Sequence, residues 1–297
     1  MKLTDTVLRQ RGMPPPDGAA DKEGRGNVLV IAGSRELPGA ALLAATASLR
    51  AGAGRLAIAT PASVAVALGL AVPESRVIGL PETTSGGLDK AGIPALTPLS
   101  GRIDALLIGP GLVDEPTTTA FTQSVLEAFD CPVVLDALAM TAVAAGMRPR
   151  DALVLTPHAG EMAHLTGHAK DKVQDEAPAL ATEIAARWRA GIVLKGSTTH
   201  IAFPDEPCWH HDGGDVGLAT SGSGDTLAGL LAGLLARGLT PLDAALWAVR
   251  VHAVAGDRLA ARHGRWGYLA RELGQEIPRA MHGLCVGMPQ RGDTPSS

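Results

Sequence analysis

The run Thr220-Ser-Gly-Ser-Gly-Asp225 leads directly into the apolar stretch 226–236, and its residue types suit an anion. Glycine lets the backbone turn successive N–H groups toward one point, and a helix starting there adds the positive end of its dipole. Amides of Gly222, Ser223 and Gly224 aimed at one point make an anion hole, with phosphate the obvious occupant. Asp225 then stands where a carboxylate can take the proton from a hydroxyl attacking that phosphate. Aspartate is equally a favoured helix N-cap, and spacing alone does not separate the two roles. Neither GxxxxGK[ST] nor GxGxxG occurs, which excludes the two common phosphate-binding loops.

Four other segments carry residues capable of chemistry. Lys195-Gly-Ser-Thr-Thr199 ends an apolar run. Its lysine and hydroxyls can bind phosphate or ribose, although a plain turn between two strands has the same composition. Ile108-Gly-Pro-Gly-Leu112 permits close approach of backbone to a ligand, or is simply a turn. Leu155-Thr-Pro-His-Ala-Gly-Glu161 reads as a strand, a tight turn and a helix start, with His158 at the tip. Glu161 there is also an ordinary first-turn acid. Val30-Ile-Ala-Gly-Ser34, followed by Leu37-Pro-Gly-Ala40, reads as a strand, a loop of small residues and a helix N-terminus.

The elements that must position these residues alternate along the chain. Short apolar runs predict strands at 28–32, 56–60, 76–79, 105–108, 133–136, 153–155, 192–195 and 200–203. Longer patterns predict helices at 40–51, 117–129, 174–189, 226–237, 241–262 and 269–280. Near-continuous apolar strands separated by helices predict a mostly parallel sheet covered on both faces, a three-layer α/β/α sandwich. In such sheets ligands bind beyond the carboxyl ends of the strands, which is where the five segments fall. Residues 1–25 read as an N-terminal arm, mobile or ordered only on packing, and 283–297 as a disordered tail. Residues 26–282 then form one domain.

Bulk properties exclude several classes. A net charge of -4 over 297 residues gives no electrostatic case for nucleic acid or anionic membrane. The apolar run 226–236 is too short to span a bilayer and reads as a buried helix. Aromatics are only 3%, so helices must pack on small side chains. Cys131, Cys208 and Cys285 are far apart and odd in number, which predicts free core thiols and a reducing compartment. Residues 1–16 carry no apolar stretch of the signal-peptide kind, so a cytoplasmic location is expected.

The order of the segments resembles one family. "NVLVIAG" and "LPGAALLAATASLRAGAGRLAIATP" come first, then "ALLIGPGL", "PVVLDALAM", "LVLTPHAGEM", "VLKGSTTHI" and "LATSGSGDTLAGLLAGLLARG", closing on "AALWAVRVHAVAGDRLA". Together they resemble the ADP- or ATP-dependent NAD(P)H-hydrate dehydratases, a branch of the ribokinase-like superfamily, over residues 26–281. The GxGD element is shared with sugar, thiazole and vitamin kinases, whereas "TPHxGE" with "GAALLAA…LRAGAG" is selective.

The resemblance implies a ribokinase-like fold and a hydro-lyase that restores NADH or NADPH from the S-epimer of its hydrate. ADP or ATP is expected to phosphorylate the ring 6-hydroxyl, after which phosphate leaves; magnesium is expected with the nucleotide, and no protein ligand is assigned to it. By the same resemblance Lys195, Gly196, Ser197, Thr198, Thr199 and Gly224 bind nucleotide. Ala40, Gly111, His158 and Asp225 meet the hydrate, and Asp225 is the catalytic base. A homo-oligomer, a tetramer in the family, and a separate epimerase are also implied. Three departures stand out: Leu138 where a second aspartate is usual, Ala159 in place of a proline, which should loosen the turn holding His158, and Ser221 in place of glycine. A small-alcohol kinase of the hydroxyethylthiazole type would keep Asp225 and release a phosphorylated product, and a nucleotide-binding protein without activity could share the fold.

Overall fold

The computed structural model of the chain describes residues 1–13, 24–146, 150 and 152–286. Nine strands form one sheet: β1 (Asn27–Ile31), β2 (Arg55–Pro61), β3 (Ser75–Leu80), β4 (Ala105–Ile108), β5 (Val133–Leu135), β6 (Leu153–Leu155), β7 (Gly191–Leu194), β8 (Thr199–Ala202) and β9 (Trp209–His211). Their order is β3-β2-β1-β4-β5-β6-β7-β8-β9. From β3 to β7 all pairs are parallel, and β8 and β9 join antiparallel. All eight predicted strands are present. Residues of β4 to β7 are buried without alternation, as expected for strands covered on both faces.

Two apolar cores flank the sheet. One lies under the helices Pro38–Arg50, Ser223–Ala236, Pro241–His263 and Ala270–Cys285. The other lies under Glu115–Ala128, Ala159–Thr166 and Ala177–Trp188. The predicted three-layer sandwich is what forms. Among the described residues no helix is long and apolar enough to cross a membrane, and the apolar 226–236 stretch is buried throughout.

Several elements differ from the sequence expectation. The first thirteen residues are docked. Leu3 N–H donates to the His210 carbonyl and His210 N–H to the Met1 carbonyl, each at 2.8 Å, so the N-terminus covers the β9 edge. The helix Asp5–Arg11 follows, capped by Thr4, with Leu8 buried and ion pairs Arg11–Asp243 and Arg250–Asp5 both at 2.7 Å. The rest of the expected arm, 14–23, lies outside the described residues. The last helix reaches Cys285, into the segment expected to be disordered, and 287–297 lie outside the described residues. The predicted 174–189 helix is two, Lys170–Asp175 and Ala177–Trp188. Pro178 sits in the first turn of the second, where its ring starts a helix but cannot continue one. The three cysteines are free but half-buried, at the margins of the cores.

The Ser223–Ala236 helix is pressed against Pro38–Arg50 at a separation only small residues allow. A Cβ on Gly229 would lie 2.1 Å from the Ala44 carbonyl oxygen, and one on Gly233 would lie 2.6 Å from that of Ser48. Ser48 Oγ sits at this seam, 3.0 Å from the Ala44 carbonyl and 2.9 Å from that of Gly229. This contact sets where the helix N-terminus points. Gly229→Ala is expected to cost about 3 kcal/mol through overpacking, read as a drop in urea midpoint without a change in m-value.

Candidate active site

The five segments meet at the carboxyl ends of the parallel strands. The sheet order reverses between β1 and β4, and the loops after these two strands touch. Gly33 N–H donates to the Pro110 carbonyl at 2.7 Å. Gly111 has φ 69°, and a Cβ there would strike Ala40 Cβ at 2.7 Å and the Leu37 carbonyl at 2.8 Å. Only glycine gives both that backbone angle and that clearance. Ala40 and Gly111, distant in the chain, therefore form one surface.

Asp225 is not the N-cap. The helix begins at Ser223, Gly222 occupies the cap with φ 88° and makes no side-chain cap bond, and Asp225 is the third residue inside. The helix thus starts three residues before its expected position. Ser223 N–H is turned back to the Thr220 carbonyl at 3.3 Å, which leaves Gly224 and Asp225 with the first-turn amides that a helix cannot satisfy internally. Of the three amides expected to form an anion hole, that of Ser223 is turned back onto the chain, while that of Gly224 lies in the open first turn.

Three carboxylates and one ammonium gather beside that turn. Asp136, at the end of β5, is buried; its Oδ1 accepts from Thr156 Oγ1 at 2.6 Å and from Lys195 Nζ at 3.2 Å. Glu161 Oε2 is 3.9 Å from the same Nζ. A Cβ on Gly224 would sit 3.1 Å from Nζ, so the bare backbone of Gly224 is what makes room for the ammonium over the helix terminus. Burial lowers the Lys195 pKa, but attraction to Asp136 and Glu161 outweighs it and the net shift is upward, so the side chain stays charged. The Asp225 carboxyl is pushed up from 3.8 to about 6, first by burial, then by repulsion from Asp136 and Glu161, with Lys195 opposing. A carboxylate so placed is ionised at neutral pH yet basic enough to accept a proton in a transition state.

The loop 195–199 is the turn between antiparallel β7 and β8. Lys195 departs from the rest: its backbone N–H donates to the Pro157 carbonyl at 2.8 Å and its side chain turns into the acid cluster. Gly196 and Ser197 are exposed, Thr198 Oγ1 donates to Asp212 at 3.3 Å, and Thr199 opens β8. His158 is both cap and surface. Its Nδ1 accepts from the amides of Gly160 and Glu161 at 3.0 and 3.1 Å, and Glu161 Oε2 accepts from the His158 amide at 2.7 Å. This reciprocal box holds the turn without the expected loosening from Ala159, because none of the three bonds involves residue 159. With Nδ1 accepting, Nε2 carries the proton and lies 3.7 Å from Glu161 Oε1, and His158 lines a cleft of about 280 Å³ together with Leu138. A second cleft of about 370 Å³ adjoins it through Thr141, His164 and Leu165.

Sequence reasoning missed Thr156 and His252 and gave Asp136 no role. His252 is buried in the Pro241–His263 helix, its pKa pushed down to about 4 by burial, so it is neutral. Its Nε2–H donates to the Ser223 carbonyl at 3.1 Å, with Ser223 Oγ also at 3.1 Å, which braces the anion-binding turn from behind. A polar residue within an otherwise apolar helix face was the available signal.

Comparison with known proteins gives the family and the fold. The family model described as NAD(P)H-hydrate dehydratase matches residues 28–279. The ADP-dependent (S)-NAD(P)H-hydrate dehydratase of Xanthomonas campestris pv. campestris is 46% identical, over 96% of this chain and 97% of that one. The crystal structure of the ADP/ATP-dependent NAD(P)H-hydrate dehydratase from Bacillus subtilis, co-crystallised with ATP and Mg2+, superposes with TM-score 0.81 at 32% identity, covering 95% and 97% of the two chains. A ribokinase-like superfamily protein from Enterococcus faecalis matches at TM-score 0.83 and 27% identity, covering 95% of each chain. A hydroxyethylthiazole kinase from Pyrococcus horikoshii reaches TM-score 0.55 at 16% identity over 93% and 91%, a likeness of fold alone. The chain belongs to the NAD(P)H-hydrate dehydratase family, on a ribokinase-like α/β fold.

Proposed function

We propose that this chain dehydrates the S-epimers of hydrated NADH and NADPH, converting ADP or ATP to AMP or ADP and releasing phosphate, with Asp225 as the base. The observation that carries the reading is Asp225 itself: a half-buried carboxylate of raised pKa, at a helix N-terminus, beside a charged lysine. The terminal phosphoryl group rests against the Gly224 and Asp225 amides, with Lys195 offsetting its charge. Asp225 takes the proton of the ring hydroxyl as its oxygen attacks phosphorus and the bond to the nucleotide breaks. The phosphate then leaves with the C–O bonding pair, assisted by the ring nitrogen, and loss of a ring proton restores the reduced nicotinamide. His158 Nε2–H, Ala40 and Gly111 face the hydrate, and 196–199 the nucleotide.

Among the described residues no group of three or more His, Cys, Asp or Glu could hold a metal ion. Asp136 is already occupied by Thr156 and Lys195. These residues fit a magnesium ion carried by phosphates and waters, where it would neutralise phosphate charge. Free thiols and a reduced-nicotinamide substrate support a cytoplasmic site of action, with a separate epimerase supplying the S-epimer. A homo-oligomer, a tetramer in this proposal, is supported by the helix Ala62–Ala71, which leaves Val66 and Leu70, one turn apart, 76% and 80% exposed.

Hydrated NADH incubated with the chain and either nucleotide should regain the absorbance of NADH; turnover without nucleotide, or accumulation of a stable phosphorylated alcohol, would count against the reading. Asp225→Asn is expected to lower kcat roughly 10²–10⁴-fold while nucleotide still binds. Because the folded pKa of Asp225 lies near 6 and the unfolded one near 3.8, the folded state holds the proton more tightly and ionisation costs stability as pH rises through that window. Asp225→Asn should therefore melt above wild type at pH 7 and lose that advantage below pH 4, in paired thermal scans. The acid limb of kcat should fall near pH 6 in wild type and higher in Lys195→Met, where the ammonium that holds the carboxylate down is gone. Leu70→Glu should shift the protein to smaller species in light scattering without loss of helicity.

A further inference from the structure

We infer that the first residues of the chain form a brace that holds the 195–199 turn in place for the nucleotide, acting through Asp212, a positioning residue rather than a catalytic one. This rests on the proposed function, which gives that turn to the nucleotide, and adds what fixes the turn. Gly196 and Ser197 are exposed, and Thr198 Oγ1 reaches Asp212 Oδ1 at 3.3 Å. The other oxygen of the same carboxylate, Oδ2, lies 3.2 Å from the Lys2 ammonium and 3.8 Å from His210 Nε2. Asp212 therefore joins the turn to the N-terminal segment through its two oxygens.

The register of the sheet puts these groups on one face. β8 and β9 pair Thr199 with His211 and His200 with His210, so one further step sets Thr198 opposite Asp212. Lys2 bridges to His210, and side chains two apart in extended chain point the same way. A slip of one residue would send Lys2 toward the core and Leu3 to the surface. Leu3 is 2% exposed within the core, and Leu8 is fully buried. Burial of these two leucines thus fixes which residue meets Asp212. A hydrogen bond from Lys2, foremost, holds the Asp212 carboxyl below its ordinary pKa, so it is ionised and accepts from Thr198.

The segment is itself anchored to the helix that positions the anion-binding turn. Asp5 pairs with Arg250 and Arg11 with Asp243, each at 2.7 Å, and both partners lie on Pro241–His263. The Arg11 guanidinium also lies 5.2 Å over the Trp209 ring at the start of β9, and Trp247 Nε1 donates to the Gly12 carbonyl at 3.2 Å. The same helix carries His252, which holds the Ser223 carbonyl. The turn for the nucleotide and the turn for its terminal phosphate are thus referred to one helix. A donor nucleotide must touch both at once, and a turn already held in place loses less freedom on binding. The Lys2 and Asp212 side chains are 63% and 46% exposed, so their ion pair alone contributes little, and the bond to Thr198 carries most of the effect.

In the full chain, ADP affinity is read by calorimetric titration, and kcat and KM for hydrated NADH by absorbance at saturating ADP. Asp212→Ala is expected to weaken ADP binding at least about threefold, with kcat and KM for hydrated NADH unchanged. Asp212→Asn, which keeps an acceptor oxygen for Thr198, should recover most of that loss. Lys2→Met should weaken ADP binding by a smaller factor and add nothing when combined with Asp212→Ala. A smaller loss in Asp212→Ala, an equal loss on the hydrate, or an additive effect of Lys2→Met overturns the inference. Ser197→Phe, which obstructs the turn itself, separates this from the proposed function. If it leaves ADP affinity unchanged, the turn does not hold the nucleotide and both readings of it fall. If it weakens ADP binding while Asp212→Ala does not, the inference alone falls.

Discussion

Three carboxylates, Asp136, Glu161 and Asp225, arrive at the carboxyl edge of the sheet on three different segments, and the ammonium of Lys195 is placed among them. Like charges at such range repel, and Lys195 is the cation that opposes the rise of the Asp225 pKa caused by burial and by Asp136. Asp136 is satisfied directly by hydrogen bonds from Thr156 and Lys195. Asp225, which Lys195 reaches only through space, is left with a raised pKa of about 6. Within one cluster, Asp136 is held in hydrogen bonds while the Asp225 carboxyl sits above its ordinary pKa.

The second constraint is mechanical. A helix terminus can hold an anion only if the helix cannot retreat, and the Ser223–Ala236 helix is fixed on every side by apolar contact. Its glycine seam against Pro38–Arg50 brings backbone to backbone, and His252 ties the Ser223 carbonyl from the neighbouring helix. A histidine kept neutral by burial suits that role, because a cation there would compete with Lys195 for the same carboxylates. The low aromatic content belongs to the same design, since helices this close leave no room for rings.

On the substrate side, rigidity comes from capping. His158 closes the first turn of its helix and, by accepting at Nδ1, commits Nε2 to donation. One side chain sets both the geometry of the turn and the tautomer offered to a ligand. Leu138 lines the same cleft as His158 and makes its inner wall more apolar.

The sequence by itself determined a mostly parallel sheet, eight of its strands and the glycine-rich turn before an apolar helix, because each is written locally: apolar runs for strands buried on both faces, and small residues ahead of that helix. It also carried enough ordered motif to place the chain in its family. Short polar elements escaped it. β9 is Trp-His-His, and the Asp5–Arg11 helix buries only one leucine, so neither has a periodic signal of its own. What tertiary structure alone decided is the pairing of distant residues. Lys195 meets Asp136 across 59 positions, His252 meets Ser223 across 29, and Gly111 packs on Ala40. Those contacts set Lys195 beside Asp136 and Glu161 and make Asp225 a half-buried carboxyl of raised pKa inside its helix rather than a cap. The reason is physical: hydrogen bonding along a helix or strand depends on neighbours in the chain, whereas burial and charge depend on neighbours in space.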